Sequence, residues 1–496
     1  MSRFLILLLF SWLWHLPSLP AQHIFAKKTI SAPKNLTVPD LKHTYSLGAK
    51  EFAHLSQGRK NNWHLLRSSH FLFERWRTEI QAPANWNRPQ LLIKGDSALV
   101  LTIESNPARK RLSLQFQIFD LNDGASLYSN TYNLPLRTAE GQNPKIEFSP
   151  DRSRFVVYNY IPEDHDENTC ALQVFETGRS EALREMKLDW PVFGSSTAAS
   201  AHISDNGDLF FASADAATYK LRTAYWPGDQ SGAPKELESN FFFERPAGAL
   251  GNLKILRAGA TTYYLAFTAH IGRELTGLHV SALNVVLNTA LATQNMDMVS
   301  NTIDSLYLPA TATLLRGNTK ETQAPRRLQD YKLQEAWIGP EGTIILAIEQ
   351  VSADTYFHGG PFTENLGSAV KPAEDKYYRA GDLLLLAFSP GVEMLWQRLI
   401  GKEQYSKGNP SGLSYVGGHS ADRMRILTSD NARRGRIFAL EIGLQDGSVL
   451  NTTLLLSGNY ELVKDGSAWL DDESLLLCAG KPGNTARRNL FLIELK

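Results

Sequence analysis

Cysteine is almost absent from this chain, which has only Cys170 and Cys478 among its 496 residues. A fold held together by several disulfides is therefore excluded, and the chain must bury a hydrophobic core of its own. Both cysteines stand in apolar, strand-like runs, "TCALQVF" and "SLLLCAG". We expect two buried free thiols rather than a bridge or a catalytic nucleophile.

The chain also lacks an excess of either charge, because Lys plus Arg and Asp plus Glu both number 51. A balanced charge gives no general attraction to nucleic acid or to a membrane surface, so neither is an expected partner. Electrostatic recognition would have to come from local clusters. Hydrophobic residues make up 43% of the chain, which is ordinary for a globular protein.

No apolar run is long enough to cross a bilayer, so we predict no membrane span. The longest run lies in "MSRFLILLLFSWLWHLPSLPAQ", where one Arg precedes a short apolar stretch and small residues end at Ala21. This order is typical of a secretory signal peptide over residues 1–21. We expect an exported protein, periplasmic or extracellular after cleavage. The alternative is an N-terminal anchor helix that stays uncleaved.

A pattern of strand, polar turn and strand recurs along most of the chain. Its clear copies are "IEFSPDRSRFVVYNY", "HISDNGDLFFAS", "AWIGPEGTIILAIE" and "AWLDDESLLLCAG". Weaker copies are "LLIKGDSALVLTIE", "KILRAGATTYYLAFTA" and "SADRMRILTSD". The flanks are β-branched and aromatic and the turns are rich in Asp, Asn, Gly and Pro, so each copy predicts a β-hairpin.

Two further strands follow most of these hairpins, as in "RIFALEIGLQDGSVLNTTLLL". A four-stranded unit repeating at roughly fifty residues favours the blades of a β-propeller. Seven copies predict an all-β single propeller of seven blades. The last unit reaches Lys496 after only three strands. We expect the N-terminal strand "HFLFERWRTEI" (70–80) to supply the fourth and close the ring, which leaves no unpaired edge.

The repeats divide the chain into three regions. Residues 1–21 form the signal peptide, 22–64 a polar extended arm, and 65–496 the propeller. Two stretches, 296–330 and 351–381, exceed the blade pattern and are expected insertions. Long loops within a regular scaffold often carry function.

Two turns resemble those of known propeller families. "IEFSPDRSRF" resembles the "FSPDG" turn of TolB-like and WD-like repeats, and "FSPGVEMLWQ" is similar to the Gly-to-Trp turn of quinoprotein-type repeats. The resemblance covers most of 65–496 and implies a blade, not an activity. The chain departs from these patterns where the turn Gly is missing, in "SPDRSR" and "LDDES", and it has no WD dipeptide. It also lacks a C-terminal G-x-S-x-G segment, which argues against a propeller-capped serine peptidase.

Three loops far apart in sequence are nearly alike: "NPARKR" (106–111), "NARRGR" (431–436) and "NTARRN" (484–489). Each is expected between the second and third strands of a blade, the b–c position, and a closed ring of seven would make them neighbours. Arginine forks suit carboxylate, sulfate or phosphate groups. The alternative is a set of solvated hairpin tips that pair with nearby acids. The predicted ligand-binding arginines are Arg109, Arg111, Arg433, Arg434, Arg487 and Arg488.

Other loops on the same predicted face carry acids and aromatics. "IPEDHDENTC" (161–170) surrounds His165 with carboxylates; it could hold a cation, match the basic loops or simply be solvated. Its spacing is not that of a calcium loop, so we predict no metal and no other cofactor. Tyr356 and Phe357, in the second insertion, are expected to bind a ligand or cover the channel mouth. The alternative is that they pack on their own blade.

These features favour a non-enzymatic exported propeller that binds an anionic glycan or a protein partner on its b–c face. A second hypothesis is an enzyme, a lyase or hydrolase acting on acidic glycans. There arginine would hold a uronate carboxylate while His165, His270 or His358 moves the proton. A third hypothesis is a structural component of an envelope assembly, which predicts a broad exposed apolar patch.

Overall fold

The computed structural model shows strands along most of the chain, and in the described residues they form eight antiparallel sheets. No helix in these residues is long and apolar enough to cross a membrane. The structure describes residues 22–495 apart from gaps at 32–40, 49–50, 58–61, 70, 82–88, 136–143, 165–168, 178, 180, 191–195, 229–231, 299–327, 359–372, 408–413, 421, 430–434, 459, 472 and 481–486.

Each sheet is a propeller blade, with strands lettered a to d from the central channel to the rim. The chain begins with β1 (Gln22–Ser31). Blade 1 contains β2 (Leu41–Gly48), β3 (Glu51–Gln57), β4 (Trp63–Ser68) and β5 (Glu74–Ile80). Blade 2 contains β6 (Gln90–Lys94), β7 (Ser97–Asn106), β8 (Arg111–Asp120) and β9 (Ser126–Pro135). Blade 3 contains β10 (Lys145–Phe148), β11 (Arg154–Tyr158), β12 (Cys170–Glu176) and β13 (Ala182–Leu188).

The next blades follow in chain order. Blade 4 contains β14 (Thr197–Ile203), β15 (Leu209–Asp215), β16 (Lys220–Trp226) and β17 (Lys235–Asn240). Blade 5 contains β18 (Ala249–Leu250), β19 (Lys254–Ala258), β20 (Thr262–Ile271), β21 (Glu274–Asn284) and β22 (Thr289–Asp297). Blade 6 contains β23 (Tyr331–Ile338), β24 (Ile344–His358), β25 (Ala373–Phe388), β26 (Met394–Ile400) and β27 (Gln404–Lys407).

The last two blades complete the ring. Blade 7 contains β28 (Val416–His419), β29 (Arg423–Ser429), β30 (Ile437–Gly443) and β31 (Val449–Leu456). Blade 8 contains β32 (Glu461–Leu462), β33 (Ala468–Trp469), β34 (Ser474–Gly480) and β35 (Arg487–Leu495), with β1 as its outer strand. Among the described residues, three short 3-10 helices cover Pro107–Arg109, Pro340–Gly342 and Lys464–Gly466.

An N-terminal strand closes the last blade, as expected, but it is a different strand from the one we proposed. β1 pairs antiparallel with β35 from Gln22↔Leu495 to Ser31↔Arg487. The segment proposed for this role, 70–80, contains β5, which is the outer strand of blade 1.

The prediction of seven blades is wrong, because the strands between 41 and 80 form a complete additional blade. Its first two strands lie in the stretch that we assigned to an extended arm. Phe52, Leu55 and Leu65 of this blade are fully buried, so the strands belong to the folded core. The additional blade lies between blade 8 and blade 2, so these two blades are not adjacent in the ring.

The hydrophobic core lies between the blades rather than inside one of them. In the described residues it consists of eight clusters, each shared by two consecutive blades. In the cluster that joins the two ends of the ring, Phe52 and Leu72 of blade 1 pack with Leu476 and Leu492 of blade 8. Blade 8 therefore packs directly against blade 1 and closes the ring. The expected free thiols Cys170 and Cys478 are both buried, in blades 3 and 8.

Tryptophans on two outer strands fasten their blade to the next one. The Trp396 Nε1 of blade 6 donates to the Leu444 carbonyl of blade 7 at 2.8 Å. Its ring lies so close over Gly447 that a Cβ there would meet Trp396 Cε3 at 2.6 Å. Glycine also suits this turn because its φ is +67°. Blades 1 and 2 repeat the contact through Trp76, Leu121 and Gly124.

A buried histidine in blade 5 is expected to make the fold sensitive to acid. His279 stacks on Phe267 with ring centroids 4.6 Å apart, and its Nδ1 lies 2.7 Å from Asn295 Oδ1. Burial penalises the imidazolium and lowers the pKa of His279 from 6.5 to about 4, although the bond to Asn295 opposes this shift. The neutral ring is therefore the form that the folded state holds.

We expect His279→Gln to flatten the pH dependence of stability on the acid side. Because the folded-state pKa is depressed, the stability that His279 contributes is complete above pH 6.5 and is lost as the pH falls through about 4. The measurement is Tm of both proteins across this range, where the wild type should fall more steeply. Parallel curves would show that protonation of His279 does not drive acid unfolding.

Candidate functional site

The strand order puts all three basic loops at b–c connections. "NPARKR" joins β7 to β8, "NARRGR" joins β29 to β30, and "NTARRN" leads into β35. The expectation that the three are neighbours is wrong, because blade 1 stands between blades 8 and 2. Only the loops of blades 7 and 8 belong to consecutive blades.

In the loop of blade 2, two of the three basic side chains face carboxylates. Lys110 Nζ lies 2.8 Å from Glu163 Oε1, which belongs to the acidic loop of blade 3. Arg111 Nη2 lies 3.7 Å from Glu104 Oε2. Arg109 is exposed, and its backbone N–H donates to Asn106 Oδ1 at 3.1 Å. This loop therefore matches the alternative in which the basic tips pair with nearby acids.

The other predicted arginines fall at the edge of what the structure describes. Arg433 and Arg434 lie outside the described residues. Arg487 and Arg488 begin β35, and their side chains are outside the described part. Ligand binding by these residues stays a prediction.

Of the three candidate proton carriers, only His270 has a described side chain. His165 lies outside the described residues; His358, with Tyr356 and Phe357, lies in β24, and none of these side chains is described. His270 Nε2 lies 2.9 Å from Thr268 Oγ1. Burial lowers the pKa of His270, and the positive charge of Lys332 lowers this pKa further. Across the described ranges no three His, Cys, Asp or Glu side chains are placed to hold a metal ion.

A cavity of about 650 Å³ lies elsewhere, between the innermost strands of blades 6, 7 and 8. Two Ala-Trp pairs occupy equivalent places at the ends of strands β23 and β33, and the short strand β28 lies between them. The cavity is next to the a–b turns, so it opens in the half of the disc opposite the basic loops. Its lining includes Glu335, Trp337, His419, Trp469 and Asp471.

The sequence of β28, "VGGH", explains how both tryptophans approach it. Gly417 and His419 face blade 6, where Glu335 Oε2 would be 2.9 Å from a Cβ at Gly417. Trp337 stacks on His419 with ring centroids 6.0 Å apart and planes 13° from parallel. Gly418 faces blade 8, and a Cβ there would meet Trp469 at 2.5 Å. Two consecutive glycines therefore make room on both sides of the strand.

β28 also directs backbone N–H and C=O groups toward the channel. The Ser420 N–H donates to the Arg423 carbonyl at 2.9 Å, and the β28–β29 pairing continues without a bulge from His419↔Met424 to Val416↔Leu427. Because bonded and unbonded pairs alternate in an antiparallel ladder, Val416 and Gly418 bond β29. The N–H and C=O groups of Gly417 and His419 then point away from β29, into the channel.

Arg425 supports the blade 8 side of the cavity. Its guanidinium lies 5.6 Å from the centre of the Trp469 ring, and its Nε is 3.2 Å from Glu441 Oε1. The Trp469 Nε1 donates to the Val416 carbonyl at 3.4 Å. Glu441 therefore balances the charge of Arg425 within the wall. The Trp469 indole is held by Arg425 against its face and by the Val416 carbonyl at its Nε1.

A buried polar network lies behind the cavity, toward the b–c face. The Glu349 carboxylate accepts from Lys402 Nζ at 2.6 Å and from Ser414 Oγ at 2.5 Å. The Gln404 Oε1 accepts from the Ser414 N–H at 2.7 Å, and its Nε2 donates to Ser429 Oγ of blade 7 at 2.9 Å. Ser414 has a φ of +88°, so these bonds fix the chain in a left-handed conformation two residues before β28.

The arrangement in the cavity suits binding. Indole rings supply apolar faces, the carboxylates of Glu335 and Asp471 supply charge, and the backbone of β28 supplies donors and acceptors in one direction. Aromatic walls with a few fixed polar groups are typical of small-ligand sites. This cavity was not predicted from the sequence, although an Ala-Trp pair is shared by "EAWIGPEG" and "SAWLDDES", the two segments that supply its tryptophans.

Comparisons with known proteins found similar solved structures but no related family. No family model and no curated protein matches the chain. The chain is similar to a europium-containing methanol dehydrogenase, at 9% identity over 96% of this chain and 93% of that one, with a TM-score of 0.47. It is also similar to the WD40 domain of SCAP from fission yeast, at 9% identity over 95% and 94%, with a TM-score of 0.39. A polysaccharide lyase, PL25 ulvan lyase, shares 9% identity over 96% of both chains, with a TM-score of 0.37. The resemblance to propeller repeats is confirmed, and it concerns the fold alone.

Proposed function

We propose that this chain is a non-enzymatic, exported binding protein that takes a small ligand into the cavity between the inner strands of blades 6, 7 and 8. The observation that carries the proposal is the cavity itself, about 650 Å³ in volume and lined by two indoles and two carboxylates. This volume is within the range of about 300–1,000 Å³ that is usual for ligand sites.

Two further observations support this proposal. The first concerns the b–c face as the alternative binding surface, and the second concerns the enzyme hypothesis. The described cations of the blade 2 loop, Lys110 and Arg111, already face carboxylates, which leaves less charge for an anionic partner. The enzyme hypothesis requires a histidine that a substrate can reach. His270, the candidate with a described side chain, is half-buried, and its Nε2 lies within hydrogen-bond distance of Thr268.

The test is a panel of saccharides, amino acids, organic acids and organic ammonium compounds, screened by saturation-transfer NMR. We expect at least one class to bind the wild type and to lose about tenfold or more in affinity in Trp469→Leu, since the indole forms a wall of the cavity. Phe73→Leu is the matched control, because Phe73 is an exposed aromatic on a turn of blade 1. It should bind like the wild type.

Equal binding by the wild type and Trp469→Leu for every compound that binds would exclude the cavity as the ligand site. Thermal unfolding of both variants shows whether the fold is retained. A bound ligand should also raise the wild-type Tm, because binding to the folded state alone stabilises it.

A further inference from the structure

We infer that the ligand of this cavity is an organic cation, a compact ammonium group such as a quaternary amine. This inference rests on the proposed function, and it names the chemistry of the same site. Three features of the wall carry it: unbalanced carboxylates, indole faces, and carbonyl groups directed into the channel.

The charge of the wall is negative once its internal pairs are counted. Arg425 is matched by Glu441, and Arg423 is shared between Glu441 and Asp422. Glu335 and Asp471 have no ion-pair partner among the described residues. The Asp471 carboxylate accepts only from the Glu473 N–H, at 2.8 Å, in the described part of the chain. No described cation neutralises either carboxylate, although Glu335 also interacts with the Tyr415 hydroxyl, and burial and then Glu335 raise the pKa of Tyr415.

The aromatic walls favour a cation in particular. A cation is attracted to the face of an aromatic ring, most strongly to tryptophan, within about 6 Å of its centre. Trp469 already holds one cation in this way, since Arg425 lies over its ring at 5.6 Å. Trp337 stands on the other side of β28, half-buried and stacked on His419. A ligand in the cavity thus lies near two indoles.

The backbone of β28 offers hydrogen-bond acceptors to a ligand, beside the N–H groups of the same residues. The carbonyl oxygens of Gly417 and His419 point away from β29 into the channel, and with no side chain at Gly417 or Gly418 nothing from β28 itself covers them there. A quaternary ammonium carries its charge inside a shell of methyl groups, so it makes apolar contact and leaves no donor unpaired when it enters. A primary ammonium would instead donate to these carbonyls and to Glu335.

The experiment compares choline with 3,3-dimethylbutan-1-ol, which has the same shape and no charge. Isothermal titration of the full chain should give choline a Kd about tenfold lower than that of the neutral alcohol, as expected for cation–π and carboxylate attraction together. Added NaCl should weaken the binding of choline, because salt screens the carboxylates.

Variants locate the charge that matters. Glu335→Gln and Asp471→Asn should each weaken choline binding about threefold to tenfold and leave the alcohol unchanged. Asp471 is exposed in a turn, so its variant is expected to fold even if the Glu335 variant does not. Glu238→Gln, on the outer strand of blade 4, is the matched control and should have no effect.

Failure of this inference differs from failure of the proposed function. Equal affinity for choline and the alcohol, or binding that Glu335→Gln and Asp471→Asn both leave intact, would overturn the cation assignment. A saccharide or an anion that binds through Trp469 while choline does not would overturn it too, and the cavity would remain the ligand site. If nothing binds through Trp469, both conclusions fall.

Discussion

Replacing Lys402 by methionine is expected to lower the free energy of unfolding by about 3–5 kcal/mol. Lys402 and Glu349 are 0% and 1% exposed, and their charged atoms lie 2.6 Å apart. Removal of one partner leaves the other charge buried without compensation, which costs far more than the pair itself contributes. The loss should be large because Glu349 also accepts from Ser414, so it cannot turn toward water without breaking the network.

Chemical denaturation at neutral pH measures this loss. The matched control is Lys110→Met, which removes an ion pair of similar length, 2.8 Å, whose partners are 56% and 52% exposed; its expected cost is about 0–1 kcal/mol. The double variant Lys402→Met/Glu349→Leu should recover much of the stability, because no charge stays buried. A single-variant cost as small as that of Lys110→Met would show that water reaches Glu349.

Alanine at Gly447 is expected to cost about 2–4 kcal/mol. Two separate penalties combine at this position. The φ of +67° is unfavourable for a residue with a Cβ, and that Cβ would meet Trp396 at 2.6 Å. Since the Trp396 ring is fixed by its bond to the Leu444 carbonyl, it has to move and weaken the contact between blades 6 and 7.

Gly259→Ala separates the two penalties. Gly259 has a φ of +71° and open space around the added carbon, so its variant carries the backbone strain alone, about 1 kcal/mol. The difference between the two variants in urea unfolding then measures the steric part. Equal costs would mean that the Trp396 indole moves aside without a loss of stability. The close approach of Trp396 to the turn would then not stabilise the propeller.

The repeating unit could be predicted from the sequence because the residues that hold each turn lie within the turn itself. In "IEFSPDRSRFVV" the Ser149 hydroxyl donates to Asp151 Oδ1 at 2.7 Å, and Asp151 also accepts from the Ser153 N–H at 2.9 Å. Arg152 takes a φ of +59° where related repeats have glycine. Asp and Ser within the turn are enough to hold it, which is why the pattern survives without the usual residue.

Blade 1 was missed because its inner hairpin lacks this local signal. "LKHTYSLGAKEFAHLSQ" has no Asp, Asn or Pro, and its one turn residue is Gly48, with a φ of +79°. The burial of Phe52 comes from contact with blade 8. Such a contact depends on residues at the far end of the chain, and local periodicity does not report it.

The cavity was missed for a related reason. Its wall takes Glu335 and Trp337 from blade 6, Gly417 and His419 from blade 7, and Trp469 from blade 8. Each is ordinary within its own strand. The basic loops, by contrast, stand out in sequence because their residues are contiguous, and in blade 2 two of those residues pair with acids.

The pairing of β1 with β35 has a consequence for folding kinetics. Blades 1 to 7 are each made from one continuous stretch, so every hairpin and every neighbouring contact among them forms between residues close in sequence. The eighth pairs β1 with β35, and this pairing has the largest sequence separation among the described strands, which raises the contact order. Closing so long a loop costs only slightly more entropy than closing a medium one, because the cost grows with the logarithm of length. We therefore expect the closure of the ring to be a slow and late step in folding. Once the ring is closed, fraying of either β1 or β35 disrupts the same sheet, that of blade 8.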